Sequence, residues 1–313
     1  MSTTQKLLTP EEIAARTPPA TPFLRLPSRR EAFADRAARL RVLAQGHAMA
    51  GYLEFIAAVA DEQQGLLERM PPIRLPSADE IARCNEHGIP PLNFQTHVRD
   101  PQWCIGLRHL LRSLADRTTG KPAAVATSLA RSHDESYEAQ ASKLLAGVTS
   151  GLDIAAAPLI AAGLQVYFTH LSIALEARSF SRIDVATICP CCGSRPTASV
   201  VRIGGEAGYR FLHCALCNAE WHMVRIKCCQ CESTKGISYQ VVDDGTPVDK
   251  KAVNAEVCEE CGTYLKICFM DRDPQVEPVA DDLATLPLDL LIGDAGKTPS
   301  GVNFMLIQGE PAP

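Results

Sequence analysis

Four pairs of cysteines, each with two residues between its members, stand in the second half of this chain: Cys189 and Cys192, Cys214 and Cys217, Cys228 and Cys231, Cys258 and Cys261. A CxxC turn aims two thiolates at one point, and a second such turn brought across a β-hairpin completes a tetrahedral shell of four sulfurs around a metal ion. The spacing groups the pairs two and two: 21 residues separate the first two pairs and 26 the last two, but only 10 lie between the second and the third. The intervening segments repeat as well. "SVVRI", a glycine-rich turn and "YRFLHC" in the first half parallel "ISYQVV", "DDGTP" and "VNAEVC" in the second.

A unit of about 40 residues buries too little apolar surface to fold unaided and usually takes a metal or disulfides as a staple. The pattern therefore predicts two mononuclear four-cysteine metal sites, site one from Cys189, Cys192, Cys214 and Cys217 and site two from Cys228, Cys231, Cys258 and Cys261. Cys191 and Cys229 turn two of these positions into doublets, so either could replace its neighbour as a ligand; the two-residue spacing favours Cys192 and Cys228. A cross-braced pairing, first pair with third, is the alternative arrangement, and the local duplication speaks against it. A four-thiolate shell suits zinc and mononuclear iron alike. Each filled site carries two formal negative charges, and Arg195, Arg225, Lys227, Lys235 and Lys266 are the candidates to screen them. Because such a shell is closed, it offers no position to water or substrate and acts as a scaffold, or as an electron carrier if iron is bound. The sequence holds no P-loop, no GxGxxG after a strand, no HExxH and no GxSxG. No catalytic residue is assigned, and the chain reads as a non-enzyme. Cys84, Cys104 and Cys268 read as small apolar packing residues.

The elements that position the cysteines follow from a change of composition at Cys189, since only 2 of the 13 cysteines precede it. Upstream, "REAFADRAARLRVLAQ" and "GYLEFIAAVADEQQGLLERM" place apolar residues three and four apart, the helical spacing. Ser77 and Glu80 form a capping-box pattern, Asp100 and Pro101 open another helix, and further helical segments are predicted near 121–132, 134–147 and 152–180. Downstream, "ASVVRI" and "YRFLH" alternate as hairpin strands with Gly204, Gly205 and Gly208 at the tip. The expected fold is a multidomain α+β chain. Residues 1–183 form a helical bundle with an extended, proline-rich N-terminal arm; 184–226 and 227–273 form two tandem rubredoxin-like or zinc-ribbon β modules; 274–313 form a C-terminal tail. In that tail Asp281 and Asp282 are placed to cap a short helix, and the tail either packs on its own chain or clasps a partner.

Ile154–Leu175 is a 22-residue run without a charge, long enough to cross a bilayer. Gln165, Thr169, Ser172 and Glu176 recur every three or four residues along it as one polar stripe, which predicts a buried bundle helix instead of a membrane span. His170 lies off the stripe and reads as structural. "SRREAF" has a twin-arginine look, but Asp35, Arg36, Arg39 and Arg41 occupy the place of the apolar stretch that an export signal needs. The chain is thus expected to stay in the cytoplasm, where thiols are reduced; an odd cysteine count also fits disulfides poorly. Net charge is -5 and residues 185–272 hold 10 basic against 10 acidic side chains, so a nucleic-acid-binding ribbon is disfavoured. A thiol redox enzyme would use one CxxC at a helix start, not four in matched sets.

"RIKCCQC", "CGTYLK" and the closing "VADDLATLPLDLLIGDAGKTPSGVN" resemble the FdhE family, the accessory proteins of respiratory formate dehydrogenases. The likeness covers most of residues 185–305, and the helical first half is consistent with it. The resemblance implies a cytoplasmic assembly factor that contacts the catalytic subunit of formate dehydrogenase before export. It further implies rubredoxin-like metal sites on the eight cysteines named above, and it favours iron over zinc.

Overall fold

The computed structural model describes residues 21–243 and 245–307. Among the described residues, seven helices make up most of the first half: α1 (Ala34–Ala44), α2 (Ala50–Arg69), α3 (Ala78–Glu86), α4 (Gln102–Arg117), α5 (Gly120–Leu129), α6 (Asp134–Leu145) and α7 (Ala157–Leu175). α1 packs on α2, and Ala37, Leu40 and Ala44 of the one and Leu53, Ile56, Ala60 and Leu67 of the other are buried. The expected capping box starts α3: Glu80 N–H donates to Ser77 Oγ at 3.3 Å, and Ser77 N–H donates to the Glu80 carboxylate at 2.7 Å. The uncharged run becomes α7, with Pro158 in its first turn, where a missing N–H costs nothing. It is long and apolar enough to cross a membrane, but here it is the axis of the bundle, packed on α2, α4 and α6.

The stripe on α7 has a specific use. Gln165 donates to the carbonyl of Ala215 at 2.8 Å and Thr169 Oγ1 accepts from Asn218 at 2.8 Å, so the helix grips a cysteine turn. His170 is structural, as expected: it lies 3.2 Å from Arg29 Nη1, and burial together with that cation lowers its pKa to about 4.

Among the described residues, eight strands form one sheet in the order β1-β4-β3-β2-β7-β6-β5, with β8 on β7. They are β1 (Leu24–Arg25), β2 (Pro196–Val201), β3 (Arg210–Cys214), β4 (Glu220–His222), β5 (Ile237–Gln240), β6 (Val253–Cys258), β7 (Thr263–Phe269) and β8 (Thr298–Pro299). Each predicted hairpin is present, and each gains a third strand after its closing CxxC pair. The two modules do not stand apart, because β2 pairs with β7 in parallel, Ser199 opposite Ile267 and Val201 opposite Phe269, and one sheet results. From the predicted arm, Leu24 and Arg25 pair with β4 at the sheet edge; residues 1–20 of that arm lie outside the described residues.

The C-terminal segment is folded against its own chain, as α8 (Pro278–Ala284), α9 (Leu286–Asp294) and β8. Asp281 and Asp282 fall inside α8 and do not cap it. Glu277 does, accepting from Ala280 N–H at 2.6 Å, because Pro278 fixes the first helical position one residue later. Asp281 instead takes both ends of the Arg39 guanidinium, at 2.7 and 2.9 Å. Arg36, with no exposed surface, donates to Glu277 at 3.0 Å and to Asn218 Oδ1 at 2.7 Å. One side chain of α1 thus joins the bundle, the C-terminal segment and the first cysteine module. Further on, Gly301 crosses the start of β2 so closely that a Cβ there would lie 1.7 Å from the carbonyl oxygen of Pro196.

Arg36→Ala strands the Glu277 carboxylate in the core and is expected to cost about 3–5 kcal/mol. Arg41→Ala removes a surface pair with Asp61 and should cost about 0.5 kcal/mol or less. Gly301→Ala should cost about 1–3 kcal/mol by overpacking. Urea unfolding midpoints of the three variants check the ranking, which reverses if the Arg36 network contributes nothing.

Candidate metal centres

All four CxxC turns are built alike. The residue after the second cysteine has a positive φ in each: Gly193 at 76°, Asn218 at 56°, Glu232 at 61° and Gly262 at 70°. That reversal folds the turn back on its first cysteine, whose carbonyl accepts from Gly193, Glu232 and Gly262 N–H at 2.8, 3.1 and 3.0 Å in three of them. It also turns backbone N–H groups toward sulfur. Cys191 N–H approaches Cys189 Sγ at 3.4 Å, Leu216 and Cys217 N–H approach Cys214 Sγ at 3.4 Å, and Gln230 N–H approaches Cys228 Sγ at 3.3 Å.

The structure brings Cys189, Cys192, Cys214 and Cys217 into one group and Cys228, Cys231, Cys258 and Cys261 into another, with all sulfurs of a group within 4.8 Å of one another. The first pair therefore meets the second and the third meets the fourth; the cross-braced arrangement is not formed. Sulfur separations are 3.6 Å for Cys189–Cys217, 3.4 Å for Cys192–Cys214, 3.6 Å for Cys228–Cys261 and 3.7 Å for Cys231–Cys258. A tetrahedron of thiolates about 2.3 Å from a central ion has edges of about 3.8 Å, whereas a disulfide needs about 2.05 Å. The donor sets fit a metal and are too open for disulfides.

Ionisation points the same way. Burial pushes the Cys189 thiol upward, but hydrogen bonds from Cys191, Cys192, Cys214 and Cys217 outweigh it and hold the group well below its ordinary range. Burial and the neighbouring Cys189 thiolate then raise Cys192 and Cys217 far above theirs. Close packing of the four sulfurs thus opposes their joint ionisation, which a cation among them would favour.

The surroundings of the two groups differ. Every cysteine of site one is wholly buried, continuous with the main apolar core of the bundle. The loop before α4 seals it, Leu92 and Phe94 N–H donating to the carbonyls of Cys191 and Cys192 at 2.9 and 3.0 Å. In site two, Cys228 and Cys258 are buried, while Cys231 and Cys261 reach the surface. Thr263 Oγ1 sits 3.0 Å from Cys261 Sγ; against the effect of burial, its side-chain and backbone hydrogen bonds help lower that thiol to about 7.

In the doublets, the sulfurs that converge belong to Cys192 and Cys228. The Cys191 thiol lies beside Cys189 and Cys217 but outside the four, and Cys229 Sγ faces Ser300 Oγ at 3.1 Å, its pKa raised by burial to about 11. Of the five candidate screening cations, Lys266 is buried in an ion pair with Asp289 at 2.5 Å and Asp282 at 3.2 Å and does not serve the sulfurs. Lys227 is held by Glu232, Arg195 reaches Gln230 of the other site, and Arg225 and Lys235 are exposed. Backbone N–H groups are the donors that the structure places beside the sulfurs. Sequence reasoning missed Arg36, Asn218 and Glu277; only Asn218 had a local signal, since asparagine is enriched at positive φ.

Three family models match the chain: "FdhE, N-terminal" over residues 21–184, "FdhE, central domain" over 188–225 and "FdhE, C-terminal domain" over 226–306. "Protein FdhE homolog" of Edwardsiella ictaluri is 39% identical over 294 residues, 93% of each chain, and "Protein FdhE" of Salmonella dublin is 36% identical over 296 residues, 94% of each. The crystal structure of the FdhE protein from Pseudomonas aeruginosa superposes with a TM-score of 0.84 at 36% identity, covering 92% of this chain and 100% of that one.

Cys191→Ser and Cys229→Ser are expected to keep two equivalents of metal, and serine at any of the eight converging positions should lose one. Elemental analysis of purified variants checks this, and a full complement in Cys192→Ser would shift the role to Cys191. Gly193→Ala, where a Cβ meets nothing closer than 3.7 Å, isolates the cost of the left-handed turn, about 1–2 kcal/mol in thermal unfolding.

Proposed function

The chain belongs to the FdhE family, and from that premise we propose that it is an accessory protein for the assembly of respiratory formate dehydrogenase. In this reading it works in the cytoplasm, binds the catalytic subunit before export, and performs no catalysis of its own. The observation that carries the reading is the pair of four-sulfur groups built into a single sheet. Each brings four thiols within 4.8 Å of one another, the number a closed tetrahedral shell takes. A shell filled by four thiolates has no open position for substrate, which supports a docking body over a reaction centre.

Cys189, Cys192, Cys214 and Cys217 would hold one ion, and Cys228, Cys231, Cys258 and Cys261 the other. We take iron as the native metal from the family resemblance. Bound iron would supply reversible one-electron chemistry, and zinc would supply structure alone. The chain's own contribution is the same in both cases: it presents thiolates at fixed separations and aims backbone N–H groups at them.

Protein purified without oxygen is expected to contain two equivalents of transition metal, and iron will give ferric-thiolate colour on oxidation where zinc stays colourless. Tagged full-length chain should also retain the immature catalytic subunit. Fewer than two equivalents in natively folded material overturns the metal assignment, and failure to retain the subunit overturns the partner assignment.

A further inference from the structure

Equal spacing makes the two cysteine sets look equivalent, but their accessibility is opposite. Cys189, Cys192, Cys214 and Cys217 each have no exposed surface. Three elements of the bundle close over them: the 90–94 loop through Leu92 and Phe94, α7 through Gln165 and Thr169, and α1 through Arg36 on Asn218. A ligand reaches those sulfurs only after the bundle separates from the sheet, which is opening of the main core. In the second set, Cys231 and Cys261 are exposed in the folded state, and no helix of the bundle lies in strong contact with β5 or β6. The rim there is polar: Gln230 bonded to Arg195, Lys227 to Glu232, and Lys297 to Glu259. Such side chains at a surface move aside at little cost.

We infer that site two is an exchange port, where a soft thiolate or nitrogen donor from outside reaches the bound ion through Cys231 and Cys261, while site one is a permanent joint between bundle and sheet. This rests on the metal assignment made above. An incoming donor replaces one cysteine thiolate for one, without oxidation or reduction, and the displaced thiolate takes up a proton from water. At site one, removal of the ion is coupled to separation of the core and follows the slow opening of that region.

The test uses the full chain loaded with zinc alone. An excess of EDTA is added at neutral pH, and protein-bound zinc is counted at intervals after gel filtration. Iodoacetamide in a parallel sample reports by peptide mass mapping which cysteines become accessible. One equivalent is expected to leave at least about tenfold faster than the other; among the eight ligand cysteines alkylation should appear first at Cys231 and Cys261, while the partly exposed Cys84, outside both groups, reacts independently of the metal. Cys231→Ser should remove the fast phase and leave the slow one unchanged. The unmodified protein carries the test even if that variant folds poorly. Two equivalents leaving at one rate, or first alkylation at Cys189 or Cys214, overturns the inference and leaves the metal assignment standing. Binding of fewer than two equivalents by folded protein overturns both.

Discussion

Four thiols held within 4.8 Å of one another inside an apolar core cannot all give up their protons unless a positive charge sits among them. That constraint organises the first cysteine module and, through it, the rest of the chain. The turns that bring the sulfurs together leave backbone carbonyls pointing outward, and the bundle uses those carbonyls as attachment points. Ala215 gives its oxygen to Gln165, and Cys191 and Cys192 give theirs to Leu92 and Phe94. The first two members of the polar stripe, Gln165 and Thr169, are thereby explained, while Ser172 bonds to the Thr169 carbonyl of its own helix. Gln165 and Thr169 are the complement of a metal-ready turn, placed where an all-apolar helix would have left buried carbonyls without donors.

Burial of charge follows a consistent rule in this protein. Arg36, Arg39, Arg210 and Lys266 are all buried, and each meets a carboxylate: Glu277, Asp281, Glu256 and Asp289 in turn. Three of these pairs connect segments far apart in the fold or in the sequence: α1 to α8 twice, and β3 of one module to β6 of the other. Buried pairs gain little over apolar packing, but they cost much when broken, so they select one arrangement of the parts over others. The C-terminal segment owes its place to them. Its acidic residues look like a solvated or docking surface in isolation, yet Glu277 and Asp281 are counter-charges to arginines of the first helix, and Asp282 and Asp289 to Lys266 of β7.

The cysteine groups were legible because a CxxC turn is a local structure and the duplication is visible in spacing alone. The α3 cap and the fate of the uncharged run were legible for the same reason, since each depends on residues three or four apart. What escaped was long range. The parallel pairing of β2 with β7 has no marker in either strand: "PTASVV" and "TYLKICF" would suit an edge equally well. The partners of Asp281 and Lys266 could not be read from their own neighbourhoods, where they suggested a helix cap and a screen for sulfur. The different accessibility of the two sulfur groups was hidden too, because it is set by the bundle and not by the cysteines.

The seam between β2 and β7 bears on how the molecule is made. Ser199 waits for Ile267, and Arg36 has its carboxylate partner 241 positions away, close to the end of the described chain. Contacts of such sequence separation are slow to form, and they come last. The main apolar core is shared between the seven helices, the first cysteine module and α8, so none of these parts buries its apolar surface fully without the others. Closing the sheet over the bundle consequently draws on residues from both ends of the described chain.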